Sequence, residues 1–345
     1  MSDTYRVAPT VAREGIHLGE SRLRVAVVGT GEWWGRQHLR AFSERPDVEL
    51  VAVVGRSART AEARAALVGA RAYIDPVEMV RRESPDLVAV CLPNQGHFET
   101  TLALIRSGTP LFVEKPLVFD LEQADTLIAE AEGRSLFVAI DFNHRWATPV
   151  RMARDAIGAG RIGGLTFATW RFGGEGSSDH PDANLIETQC HGFDMLEHLC
   201  GPIASVAAEM TELLGRGRST VAIAIRFASG AVGSLVGSYD TSYTYPDTHR
   251  LEVNGTAGHV VVHDTVRSFE FQRAGEETRE VWEAGYFNDL GRMFHRTLDR
   301  HVDAVLAALR AGELPPVGIR SGRRALQLAL ASVESFKTGT RVAVP

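Results

Sequence analysis

Lys115 and the pair Glu187/His191 are the residues whose types and neighbours could do chemistry. Lys115 stands between Glu114 and Pro116 at the end of an apolar run. Pro116 removes a backbone donor and fixes the turn, which helps hold the lysine. A strand-end lysine is commonly surface charge; one set between an acid and a proline is a candidate for function. His191 follows Glu187 by four positions, so a helix would put both on one face. A carboxylate that holds an imidazole in one tautomer makes it a better proton acceptor. The same pair would serve equally as an ordinary helix-surface contact, and spacing alone leaves both readings open. The glycine-rich stretch before it and the apolar Phe193, Met195, Leu196 and Leu199 after it suit a helix dipping into a cleft.

A second group could hold a ligand. The apolar run Val25-Ala26-Val27-Val28 feeds Gly29-Thr30-Gly31-Glu32-Trp33-Trp34-Gly35, and a helical pattern follows. This reads as the G-x-G-x-x-G turn with Gly35 as the third glycine. Gly29 would allow the tight turn, Gly31 the approach of a pyrophosphate, and Gly35 close helix–strand packing. The helix N-terminus would offer N–H groups to the phosphates. The next strand ends in Arg56 and Ser57, with Arg59 nearby and no acid at the tip. An arginine fork suits a ribose 2′-phosphate, which favours NADP over NAD. Ser57 would equally serve as a helix N-cap, and Arg56 could stack on an adenine. Leu92-Pro93-Asn94-Gln95-Gly96-His97 ends another strand at the same edge.

The elements that must position these groups alternate. Strands are expected at 23–28, 48–54, 71–73, 86–91, 110–113 and 135–140, with helices at 60–68, 98–107 and 121–132 between them. The strands are continuous apolar runs, which marks a parallel sheet covered on both faces. After Asn143 the texture changes. A helix at 149–157, a strand at 165–172, a loop at 173–184 and a helix at 191–199 lead into strands at 205–213, 220–227, 232–239, 250–253, 259–263 and 268–272. Two helices, 289–311 and 321–338, close the chain. The fold class is α/β: an N-terminal doubly wound parallel sheet of Rossmann type, then an α+β part with a mostly antiparallel sheet. The expected divisions are an arm at 1–21, a dinucleotide-binding domain at 22–142 and a substrate-binding domain at 143–345. Neither face of the strands at 220–227 and 232–239 is strongly polar, so the outer face is expected to meet another subunit.

Composition narrows the class. The 345 residues are 44% hydrophobic and 23% charged, with a net charge of −6. That gives no electrostatic case for nucleic acid or an anionic membrane. Three cysteines without metal-ligand spacing suit a reducing cytoplasm, and no metal site is expected. No apolar run approaches a membrane span.

Together, Gly29 through His38, Leu92 through His97, Glu114-Lys115-Pro116, Asn143-His144-Arg145 and the ending from Gly318 through Thr340 resemble the glucose–fructose oxidoreductase and inositol dehydrogenase family (Gfo/Idh/MocA). The resemblance implies an NAD(P)-binding domain and an open-faced sheet domain, assembled as a homodimer or homotetramer. It also implies sugars, sugar derivatives or cyclitols as substrates. Its lysine and its acid-x-x-x-His pair map onto Lys115, Glu187 and His191. The family's acid is commonly Asp, so Glu187 is a departure of one methylene. On this reading His191 exchanges the proton, Lys115 stabilises the developing alkoxide, and Glu187 orients His191 or binds a neighbouring hydroxyl. The cofactor contacts would be Gly29, Thr30, Gly31, Glu32, Trp33, Trp34, Gly35, Arg56, Ser57, Leu92, Pro93, Asn94, His97, Glu114 and Lys115. Arg145, Trp170, Arg171, His180 and Asn184 are candidate substrate contacts or ordinary surface residues. Two rival functions share the fold: a nucleotide-sensing regulator without catalysis, and a redox glycosidase that uses the nicotinamide transiently.

Overall fold

The computed structural model describes residues 22–93, 97–176, 179–212, 215, 217–285 and 293–345. The arm at 1–21 and Asn94 lie outside them.

The first half alternates strand and helix: β1 (Leu23–Val28), α1 (Trp34–Ser43), β2 (Val48–Val54), α2 (Ala58–Val68), β3 (Arg71–Tyr73), α3 (Pro76–Glu83), β4 (Leu87–Val90), α4 (His97–Ser107), β5 (Leu111–Glu114), α5 (Leu121–Gly133) and β6 (Val138–Asp141). The six strands form one parallel sheet in the order β3-β2-β1-β4-β5-β6. Strands β4, β5 and β6 are buried at every position, which is why they read as unbroken apolar runs. The order reverses between β1 and β4. That switch opens a crevice at the carboxyl ends of the strands, where ligands bind in such sheets. Helix α3 is an addition to the expected elements. It is short and rich in Arg and Glu, but Asp75 caps it by accepting from Val77 N and Glu78 N, with Pro76 in the first turn.

The second half opens with a 3₁₀ turn (Asn143–Trp146), α6 (Thr148–Gly158), β7 (Leu165–Gly173), a π-helical turn (Asn184–Thr188) and α7 (Cys190–Cys200). Then follow β8 (Ile203–Thr211), β9 (Thr220–Phe227), β10 (Val232–Ser238), β11 (His249–Gly255), β12 (Gly258–His263), β13 (Ser268–Arg273), β14 (Glu280–Glu283), α8 (Arg296–Ala311), α9 (Ile319–Thr338) and β15 (Val342–Ala343). These strands make a sheet of nine in the order β14-β13-β12-β11-β7-β10-β9-β8-β15. It is antiparallel except where β7 and β10 run parallel, Phe167 opposite Val232. The short β14 and β15 were not expected; each lies at an edge and is largely exposed, so neither carries an apolar pattern.

Burial alternates cleanly along β9. Val221, Ile223, Ile225 and Phe227 face inward, while Ala222, Ala224 and Arg226 face out. On the outer face Phe167, Val232 and Val236 are 39%, 49% and 40% exposed. Helix α8 crosses back to the first sheet. Its Leu298, Val302, Val305 and Leu306 recur at helical spacing and join the core under β1, β2 and α1. Each is fully buried, worth roughly 1.5–3 kcal/mol against exposure. Helix α9 packs on α5, α7 and β8, so the core is continuous from one sheet to the other.

Candidate active site

The glycine loop ends β1 at the switch point. Gly29 has φ +133°, and its N–H donates to Val54 O at 2.9 Å. A Cβ there would fall against the Cys91 carbonyl, so only glycine fits. A Cβ at Gly31 would meet nothing within 4 Å, which is open space on the ligand side of the turn. At Gly35 a Cβ would press on Thr30 at 3.1 Å, consistent with close packing. The spacing corrects the sequence reading: the turn is G-x-G-x-x-x-G, one residue longer than the fingerprint, with Trp34 at the usual third position. No side chain caps α1, whose first N–H groups face the crevice end of the sheet. These features fit a dinucleotide pyrophosphate.

Around the loop, Arg64 pairs with Glu32 and its Nε donates to Thr30 O at 3.4 Å. Trp33 and Trp34 meet the ring of His295 edge-on at 5.3 and 6.0 Å. Ser57 caps α2 by accepting from Thr60 N at 3.3 Å, and Arg56 is exposed beside it. Leu92 O accepts from His97 Nε2 at 2.6 Å. Burial holds His97 below the ordinary histidine range.

Lys115 stands at the same edge, one residue beyond β5, followed by a cis bond to Pro116. Its Nζ donates to the main-chain oxygen of Glu187 at 2.8 Å. The two motifs, 72 positions apart, are thus in direct contact. The sequence expectation for Glu187 needs correcting at one point. Gln189 N donates to Asn184 O, an i→i+5 bond, so a π turn separates Glu187 from α7. The regular helix that would have aligned Glu187 with His191 is interrupted. His191 Nδ1 is buried and has no hydrogen-bond partner, so no carboxylate fixes the ring there. What Glu187 visibly supplies is its carbonyl to Lys115.

His191 is packed instead by rings. His144, from the 3₁₀ turn, stacks on it at 3.9 Å and 13°. Phe142 meets it edge-on at 5.9 Å. His249, from β11, lies beside His144 at 6.5 Å. Burial, then the neighbouring His144, Lys115 and His249, push His191 well below the usual histidine range. Burial does the same for His144, and it lowers His249 to about 4. All three are neutral at pH 7, which is the state a proton acceptor needs. His144 and His249 went unnoticed in the sequence. Asn143-His144-Arg145 was a motif without a role, and nothing local signals a stack with a residue 47 positions on.

The candidate substrate contacts divide. Trp170 is 3% exposed and donates from Nε1 to Gln189 Oε1 at 3.2 Å. Asn184 donates to Ser219 O at 2.7 Å and accepts from Gln189 Nε2 at 3.0 Å. Arg145 grips buried Asp194 through two nitrogens, Nε at 2.8 Å. These three are tied into the framework under the site. His180 lies against Phe119 at 4.9 Å, with Nδ1 accepting from Asp182 N. Arg171 is half exposed and bonded to Asp247.

Comparison with known proteins agrees with this layout. Residues 23–142 match the family model described as an oxidoreductase family with an NAD-binding Rossmann fold, and 165–344 match its C-terminal alpha/beta domain. A myo-inositol 2-dehydrogenase of Thermotoga maritima is 27% identical over 336 residues, covering 91% of this chain and 96% of the relative. A D-glucoside 3-dehydrogenase of Escherichia coli is 35% identical over 155 residues, 45% of this chain and 44% of that protein's length. A levoglucosan dehydrogenase in complex with NADH and levoglucosan superposes with a TM-score of 0.83 at 20% identity, over 94% of this chain and all of that one.

Proposed function

We infer that this chain, which belongs to the Gfo/Idh/MocA oxidoreductase family, transfers hydride between a nicotinamide dinucleotide and a secondary hydroxyl or ketone of a sugar, sugar derivative or cyclitol. The observation that carries the reading is the 2.8 Å bond from Lys115 Nζ to Glu187 O, which seats the lysine between the glycine loop and the His191 helix. The dinucleotide, when bound, carries the hydride; the protein supplies alignment and charge.

His191, neutral and with Nδ1 buried, offers Nε2 to the hydroxyl proton. Lys115 donates to the reacting oxygen, where negative charge grows in the transition state. Glu187 holds Lys115 through its carbonyl, and its carboxylate is assigned to a neighbouring hydroxyl of the substrate. Gly29, Thr30, Gly31, Glu32, Trp33, Trp34 and Gly35 would cradle the pyrophosphate side. His180 remains the substrate contact best supported by its partial exposure, whereas Arg171 shares the outer face of β7 with Phe167, away from the histidine cluster. No observation favours the sensor or the redox glycosidase. Production of NAD(P)H absorbance on a panel of cyclitols and monosaccharides tests the reading; steady silence on every member would refute it.

Three finer readings go with it. Exposed Arg56, with no acid at the end of β2, favours NADP(H), since Ser57 is spent on its cap. Calorimetry with both dinucleotides decides this, and tighter NAD binding rejects it. The outer face bearing Phe167, Val232 and Val236 suits a second copy of the chain, to be checked by light scattering. The three free cysteines suit a reducing cytoplasm, although the only membrane observation is that no described helix is long and apolar enough to span one.

A further inference from the structure

Beneath Lys115 lies a buried chain of four polar side chains that the proposed reaction does not use. Glu114 ends β5 and Asp141 ends β6, paired in register. His38 Nε2, on α1, lies 2.8 Å from Glu114 Oε1. His301 Nδ1, on α8, lies 2.6 Å from Asp141 Oδ1. An oxygen of each carboxyl group and a ring nitrogen of His38 all lie within 4.8 Å of one another. All four residues are at most 4% exposed. Phe112 packs against both rings, at 5.6 and 5.0 Å, and Trp146 stacks on His301 at 3.8 Å.

The bonding pattern determines where the protons are. Two buried carboxyl groups this close cannot both ionise cheaply, so one keeps a proton. A protonated imidazole could not supply the missing charge cheaply. It would carry an N–H on His38 Nδ1 or His301 Nε2, and both atoms are buried without a partner. Neutral rings avoid that cost: His38 donates from Nε2, His301 donates from Nδ1, and each bare nitrogen only hides a lone pair. The other titratable groups facing the cluster are Lys115 just beyond β5, Cys91 after β4, His97 on α4 and Arg145 on the 3₁₀ turn.

We propose that Glu114 and Asp141 share a single proton, and that Asp141, as the neutral partner, is a positioning residue for Lys115 acting through Glu114. The inference rests on the role given to Lys115 above. One negative charge remains on the pair. It attracts the Lys115 ammonium and, through His38 and His301, ties the lysine's strand end to the glycine-loop helix and to α8.

The test compares Asp141→Asn with Asp141→Ala in the full chain. Asn reproduces a protonated Asp: its amide donates to Glu114 and its oxygen accepts from His301. The infrared spectrum of the parent at pH 7 should carry a protonated-acid carbonyl band that Asp141→Asn removes. Asp141→Ala should lower kcat about 10²-fold through misplacement of Lys115, with dinucleotide Kd unchanged, and Asp141→Asn should recover most of that loss. Asp141 sits well above the usual carboxylate range through burial and then Glu114. Stability from the shared proton is therefore lost as pH rises through that folded value. The parent's Tm should fall relative to Asp141→Asn as pH rises from about 4 through that folded value. Absence of the acid band, an Asn variant that falls as far as Ala in Tm and kcat, or a stoichiometric metal ion in the purified protein would each overturn the assignment. The infrared and melting measurements read the proton whether or not sugars are oxidised, so the two proposals fail separately.

Discussion

The imidazoles of His144 and His191 lie face to face, 3.9 Å apart and 13° from parallel, with both Nδ1 atoms buried and unpartnered. A second proton on either ring would put a positive charge in the interior beside Lys115. The stack therefore keeps His191 as a neutral acceptor. Replacing His144 with Phe keeps the stacking and removes a neighbour that can charge. The acid limb of kcat/KM should move upward. An unmoved limb in a folded His144→Phe protein would show that burial alone sets His191.

Acid should destabilise the fold early. His97, His144, His191 and His301 all titrate below the usual histidine value, chiefly through burial. The unfolded chain takes up these protons below about pH 6.5 while the folded chain does not. Stability is therefore present above that value and falls as pH drops, by about 1.4 kcal/mol per unit for each such group until its folded pKa is reached. Urea titrations at pH 7 and 5.5 check this; equal midpoints would contradict it.

Arg145 should act on stability rather than on substrate affinity. Burial raises Asp194 even with Arg145 beside it, so removing the arginine strands a carboxylate in the interior. Arg145→Ala should cost about 3–5 kcal/mol, read by denaturant unfolding. A stable variant with only a raised KM would return Arg145 to the substrate.

The glycine loop separates fold from ligand. Gly31→Val adds a Cβ with none of the described residues within 4 Å, so the chain should fold normally and lose dinucleotide affinity. Gly29→Ala meets the Cys91 carbonyl at a φ of +133° and should lower Tm instead. Unchanged affinity in folded Gly31→Val would remove the pyrophosphate from this turn.

How much was legible depended on distance along the chain. Strands β1 and β2 could be placed to the residue because burial leaves almost only apolar types there, whereas the largely exposed β3 carries no such pattern. The edge strands β14 and β15 are too short and exposed to leave a pattern. Lys115 and His191 were readable from their immediate neighbours. The π turn that redirects Glu187 was not, since an i→i+5 bond has no compositional mark. The partners of Arg145 and His301 lie 49 and 160 positions away. No local spacing could reveal that the first is an internal ion pair or that the second completes a buried cluster.

The central claim is that Lys115 and His191 act together on the reacting oxygen. Turnover of Lys115→Ala and His191→Ala, followed by NAD(P)H absorbance on one active sugar or cyclitol beside calorimetric dinucleotide affinity, tests it most directly. Each variant should lose roughly 10²–10⁴-fold in kcat while binding the dinucleotide as the parent does. Two folded variants that turn over like the parent would place the chemistry elsewhere.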